Sequence, residues 1–153
     1  MPKIDEIILQ KKFSSAQQKV MINLVFSGGW AKSHSTKHLK PFKLSWQQFN
    51  LMRILKGQKG KAVPLRVLAE RMLDPQSNAS RIVDKLVEKG LVERVTCNDD
   101  RRQVRLNLSK KGNALLDAAS ERIDKENMML GGDLSVEELL QLSDLLDRFR
   151  NPS

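Results

Sequence analysis

The hydrophobic period changes twice along these 153 residues, and the changes decide what the chain can build. Before residue 90, apolar side chains recur three and four apart, as helices with one buried stripe require. Residues 91–95 then read as a short strand, and Gln103, Val104, Arg105, Leu106, Asn107 and Leu108 alternate polar and apolar without error. With the polar loop between them, the two runs predict a hairpin. From Ser109 the helical period returns and lasts to about Leu130, where Gly131 and Gly132 stop it. The fold class is therefore mainly α with one small β-hairpin.

Local signals bound the helices. Residues 3–26 carry Ile4, Ile7, Ile8, Val20, Met21, Leu24 and Val25 on one stripe, and Ser27, Gly28 and Gly29 are expected to end that helix. A second short helix is expected over residues 30–39, with Pro41 blocking its extension. At Ser45 and Gln48 the chain has a capping box, flanked by Leu44 and Phe49 as a hydrophobic staple, so a helix should run to residue 55 or 56. After a polar turn, Pro64 suits the first turn of another helix, on which Leu65, Leu68, Ala69 and Met72 share a face. The next helix reaches Lys89 and starts either at Pro75 capped by Asp74 or later at Ser77; Gly90 takes the left-handed position after it. The last helix repeats the earlier device, Ser135 with Glu138 and Leu134 with Leu139, and carries Val136, Leu139, Leu142, Leu146 and Phe149 on one side.

The net charge of +9 is unevenly spread. Residues 1–55 and 56–112 each carry net +7, whereas residues 113–153 carry net −5. A clustered excess points to an anionic partner, and a basic segment facing an acidic one suits two terminal regions that associate. The single cysteine, Cys97, cannot close an intrachain disulfide, and Asp5 and Glu6 stand where a signal peptide would be cationic and then apolar. The apolar run at residues 20–26 is short and interrupted by Asn23, so a cytoplasmic protein with no membrane partner is expected.

Residues 64–108 have the order and length of a winged helix-turn-helix: helix, tight turn, helix, hairpin. In that arrangement the second helix enters the DNA major groove. Its stripe of Ala79, Ile82, Val83 and Leu86 faces the core, which leaves Ser77, Asn78, Ser80, Arg81, Asp84 and Lys85 as candidate DNA contacts. Small polar residues allow close approach to base edges, and Arg81 and Lys85 can reach guanine acceptors or phosphates. The hairpin loop carries Asp100, Arg101 and Arg102, the makings of a minor-groove probe in which the carboxylate orients a guanidinium.

Residues 44–112 resemble the winged-helix core of the MarR family of transcription regulators. The resemblance is carried by Leu65-x-x-Leu68-Ala69-Glu70-Arg71-Met72, by Ser77-Asn78-Ala79-Ser80-Arg81-Ile82-Val83-Asp84-Lys85-Leu86, by Lys89-Gly90-Leu91-Val92-Glu93-Arg94, by Asp100-Arg101-Arg102, and by Leu106-Asn107-Leu108-Ser109-x-x-Gly112. It implies one intertwined homodimer with N-terminal dimerisation helices (residues 1–43), a DNA-binding core (44–112) and C-terminal dimerisation helices (113–153). It also implies a palindromic double-stranded DNA operator, with Arg102 entering the minor groove, and a role as a ligand-responsive repressor. The alternative is a winged-helix adaptor that binds protein rather than specific DNA.

Members of the family often bind a small aromatic or anionic effector beside the dimer helices, and Trp30, His34, His38, Phe42 and Trp46 are the candidates for such a pocket. His34 and His38 have the i, i+4 spacing of metal ligands, but no nearby carboxylate or cysteine is expected to complete a site, so no metal is expected. Cys97 reads as a plain surface thiol. The chain has no Gly-rich phosphate loop, no nucleophile with a His-carboxylate pair and no metal-ligand set, so neither an enzyme nor a cofactor is expected.

Overall fold

The computed structural model describes residues 2–74, 76–96 and 104–151. In chain order these form α1 (Ile4–Ile7), α2 (Ala16–Leu39), a 3-10 turn (Lys40–Phe42), α3 (Trp46–Lys56), β1 (Val63–Pro64), α4 (Leu65–Arg71), α5 (Ala79–Glu88), β2 (Val92–Thr96), β3 (Val104–Leu108), α6 (Lys110–Asn127) and α7 (Val136–Arg150). The two predicted strands are present and pair antiparallel, Val92 opposite Leu108 through Thr96 opposite Val104. A third strand joins them: β1 pairs with β3 through Val63 opposite Leu106 and Pro64 opposite Arg105, giving the order β1-β3-β2. Two residues are too few to show a period, which is why the sequence predicts only a hairpin.

The N-terminal reading needs two corrections. The helix expected over residues 3–26 is interrupted after α1, where Leu9 turns left-handed at φ 53°, and restarts at Ser15, whose hydroxyl accepts from the Gln18 amide at 3.1 Å. The expected stop at Ser27-Gly28-Gly29 is absent, and α2 runs through it for 24 residues. Each interior glycine costs about 1 kcal/mol relative to alanine. Neither adopts the positive φ of a terminating glycine, and both lie in open space. Termination falls instead at Pro41 in the 3-10 turn and at Lys43, with φ 54°.

The two expected capping boxes are present, while Pro64, expected in the first turn of α4, is instead its N-cap at the end of β1. Ser45 and Gln48, and Ser135 and Glu138, form reciprocal capping boxes at the starts of α3 and α7. The core gathers Leu39 from α2, Phe49, Met52 and Leu55 from α3, and Leu68, Leu86, Leu106 and Leu116 from the elements around them. Burying each such side chain is worth about 1.5–3 kcal/mol. This core holds α5 in place.

The terminal helices expose apolar side chains. Only Ser35 and Leu39 of α2 are buried, while Met21 and Val25 are 50% and 72% exposed. No residue of α7 is buried, although Val136, Leu139, Leu142, Leu145 and Phe149 all lie along it. Among the described residues no helix is long and apolar enough to cross a membrane.

Candidate DNA-binding surface

The second helix of the motif starts later than either expected position. Asp74 does not cap it; its carbonyl accepts from the Ser77 amide at 3.0 Å within the turn. Asn78 is the N-cap, with Oδ1 accepting from the Arg81 amide at 3.0 Å. Asparagine is among the strongest N-cap residues, so it takes the role and the helix begins at Ala79, four residues after the alternative start at Pro75 and two after that at Ser77. Pro75 itself lies outside the described residues.

Ala79, Val83 and Leu86 are buried as expected, and Ile82 is half-buried against the core. Of the candidate contacts, Asn78, Ser80, Arg81 and Lys85 are exposed on α5 and Ser77 is half-buried in the turn. Asp84 is held differently, because Arg94 of β2 makes an ion pair with it, both side chains being about half exposed. That pair ties the wing strand to α5 and cancels a negative charge that would repel phosphate. It leaves Arg81 and Lys85 as cations on the outer face, lining a groove of about 760 Å³ together with Ser45, Gln47, Glu88 and Lys89.

The N-terminal residues of α3 (Ser45, Gln47) and of α5 (Ser77, Asn78) both line this groove, so backbone N–H groups at the two helix starts add partial positive charge along it. Lys89 fixes the spacing between the helices, with Nζ donating to the Lys43 carbonyl at 2.7 Å and to Gln48 Oε1 at 3.2 Å.

The far end of α5 is clamped. Gly90 takes φ +68°, its amide donates to the Val87 carbonyl at 2.8 Å, and the Leu91 amide donates to Leu86 at 2.9 Å. These two bonds make a Schellman turn, as Gly90 predicts. Ser109, the N-cap of α6, locks that turn: its hydroxyl donates to the Gly90 carbonyl at 2.7 Å and accepts from the Gly112 amide at 2.9 Å, while its own amide donates to Leu91 at 3.1 Å. A Cβ on Gly112 would stand 1.9 Å from the Leu91 carbonyl oxygen. The Leu-Asn-Leu-Ser-x-x-Gly spacing is thus a backbone junction between α6 and the end of α5, a role that sequence reading did not assign.

Strands β2 and β3 lead out from the core to Thr96 and Val104. The expected wing residues Asp100, Arg101 and Arg102, and Cys97 beside them, lie outside the described residues.

The five residues proposed as an effector pocket divide between two surroundings. Phe42 and Trp46 are half-buried against the core, with Trp46 6.0 Å from the Phe49 ring. Trp30, His34 and His38 form a row on α2, with ring centroids 5.7 Å and 4.6 Å apart. The sequence expectation that no carboxylate stands by the histidines is corrected: Glu126 of α6 places Oε2 3.5 Å from His38 Nε2. The two are 88 residues apart in sequence, and only the packing of α2 on α6 reveals the neighbourhood.

A helix-turn-helix followed by a short antiparallel wing, with a cationic outer face on its second helix, defines the winged helix-turn-helix class. Within that class, residues 42–103 match the MarR family model. The resemblance to that family's transcription regulators read from the sequence is borne out, and the chain carries their winged-helix core. Among solved structures, the organohalide-sensing transcriptional regulator RdhR, in its 2,4-dichlorophenol-bound form, aligns at a TM-score of 0.80 and 24% identity, over 90% of this chain and 80% of that one. A MarR family transcriptional regulator from Rhodococcus sp. RHA1 aligns at 0.75 and 25% identity, over 92% and 99%. A mutant MarR from E. coli, complexed with operator DNA, aligns at 0.73 and 20% identity, over 97% and 98%.

Proposed function

We propose that the chain is a cytoplasmic, homodimeric transcription regulator that binds a palindromic DNA operator, acting as a repressor released by a small aromatic or anionic effector. The observation that carries this reading is the outer face of α5, where Arg81 and Lys85 are exposed while the opposite stripe is locked into the core. Ser80 and the free amide nitrogen of Asn78 supply neutral hydrogen-bonding groups beside them, and Arg101 and Arg102 would follow the minor groove. The operator complex of the E. coli MarR mutant and the dichlorophenol complex of RdhR support the two halves of the proposal by likeness of fold.

Dimerisation through residues 1–43 and 113–153 is supported by the exposed apolar faces of α2 and α7. Between these helices Val20, Leu24, Leu142, Leu145, Leu146 and Phe149 line an apolar groove of about 440 Å³. The occupant we assign is a second copy of the chain, whose net +6 (residues 1–43) and net −5 (residues 113–153) terminal segments are complementary to these.

DNA fragments selected from random sequence by the purified protein should share an inverted repeat. Arg81→Ala should relax preference at one position of each half-site, at about 1–3 kcal/mol. Arg102→Ala should weaken binding with the fold intact. Equal affinity for selected and random DNA at physiological salt would overturn the proposal and favour the adaptor role.

A further inference from the structure

We infer that His34, His38 and Glu126 form a binding site for a borderline divalent cation of the zinc type, joining α2 to α6. One ligand atom from each of the three residues lies within 4.8 Å of the others. All three are half-buried; the side chains of His38 and Glu126 are only 12% and 16% exposed. His34 Nε2 is fully shielded from solvent and has no hydrogen-bond partner, although an imidazole nitrogen without one is costly to bury. A cation accepting that lone pair removes the cost.

The geometry needs little change. Four-coordinate zinc holds its ligands at about 2.1 Å, so ligand atoms must approach to roughly 3.4 Å from one another. Closing the present gap takes side-chain rotation rather than helix movement, because the two histidines already lie one turn apart on one face of α2. Two imidazoles and a carboxylate select zinc, cobalt or nickel over magnesium or calcium, which prefer all-oxygen shells. Three protein ligands leave a fourth position for water or for an anionic molecule.

Arg122 is a cation that faces the cluster closely. Its Nη2 donates to Glu126 Oε1 at 2.9 Å and lies 3.5 Å from His38 Nδ1. Metal on His38 Nε2 leaves the ring proton on Nδ1, so the long approach from Arg122 is given up. The bond to Oε1 remains and presents Oε2 as a single ligand atom, the outer-shell role that orients metal-binding carboxylates. Because the site joins the long N-terminal helix to the helix that clamps α5, occupancy would brace the DNA-binding core against α2.

The experiment uses the untagged full chain, stripped with a chelator and titrated with zinc chloride, cobalt chloride and magnesium chloride. The expected result is one zinc or cobalt ion per chain, a four-coordinate cobalt absorption spectrum, a zinc-dependent rise in melting temperature and no response to magnesium. His34→Ala and Glu126→Gln should each abolish the cobalt spectrum and the melting shift while retaining the helical circular dichroism of the parent. X-ray absorption of the zinc-loaded parent, which depends on no variant folding, should count two imidazoles. Failure of the parent to bind zinc stoichiometrically, undiminished binding by both variants, or a zinc shell without two imidazoles would each overturn the site.

Discussion

Replacing Gly112 by alanine tests whether the junction of α6 with the end of α5 is as tight as it is described. The added methyl would lie 1.9 Å from the Leu91 carbonyl oxygen, 2.9 Å from its carbonyl carbon and 3.2 Å from its Cα, all backbone atoms. A carbon-oxygen contact relaxes at about 3.3 Å, so α6 or the turn must retreat by more than an ångström. Leu91 is 2% exposed and cannot withdraw without opening the core. Overpacking of this kind costs about 1–3 kcal/mol. Movement of α6 also stretches the three hydrogen bonds made by Ser109, each worth about 1 kcal/mol. Against this, alanine gains about 1 kcal/mol of helix propensity. The balance is a net loss of about 2–4 kcal/mol, a fall of about 5–15 °C in melting temperature for a chain of this length. Gly57→Ala is the control: its φ is −62° and its Cβ would meet backbone oxygens at 3.5 and 3.6 Å, so stability should hold or rise slightly. Thermal melts followed by circular dichroism at equal protein concentration read both variants. A Gly112→Ala protein melting within about 2 °C of the parent would refute the reasoning.

Three further outcomes follow from the geometry. Asn78→Ala removes the acceptor that caps α5 and should lower stability by about 1 kcal/mol, measured as a shift of the urea midpoint; an unmoved midpoint would place the cap elsewhere. Hydrogen bonds from the Ser135 backbone, then its side chain, hold the Glu138 carboxyl below its usual value of 4.5. Its contribution is therefore complete above 4.5 and lost as pH falls through the lowered folded value, so melts on the acid side should show the parent losing stability relative to Glu138→Gln; parallel pH profiles would contradict this. Leu145→Glu places a charge in the α2–α7 groove and should shift sedimentation from dimer to monomer while leaving the helical spectrum unchanged.

What the sequence could disclose depended on how local each cause was. Ser45, Ser135 and Gly90 act within four residues of themselves, so their helix boundaries were readable directly. Ser15 with Gln18 has the same spacing as Ser45 with Gln48 and marks the true start of α2, yet the apolar stripe on either side concealed it. Gly28 and Gly29 misled for the opposite reason: glycine permits a stop, but whether it stops depends on the positive φ that Lys43 adopts downstream. The candidate DNA face was legible because amphipathicity is periodic. The Arg94–Asp84 ion pair, the Ser109 clamp and the meeting of His38 with Glu126 were not, because each joins elements whose proximity is set by the packing of the core.

The length of α2 gives it leverage. At about 1.5 Å per residue its 24 residues form a rod of about 36 Å. Its buried residues, Ser35 and Leu39, fall at the C-terminal end, and none lies along the rest. In the proposed dimer, a pivot of about 5° at the seated end carries the far end through about 3 Å, nearly the 3.4 Å rise of one base step. The spacing between two recognition helices is then set by small angles at a narrow fulcrum, so an effector lodged there need move few atoms to put the pair out of step with its operator.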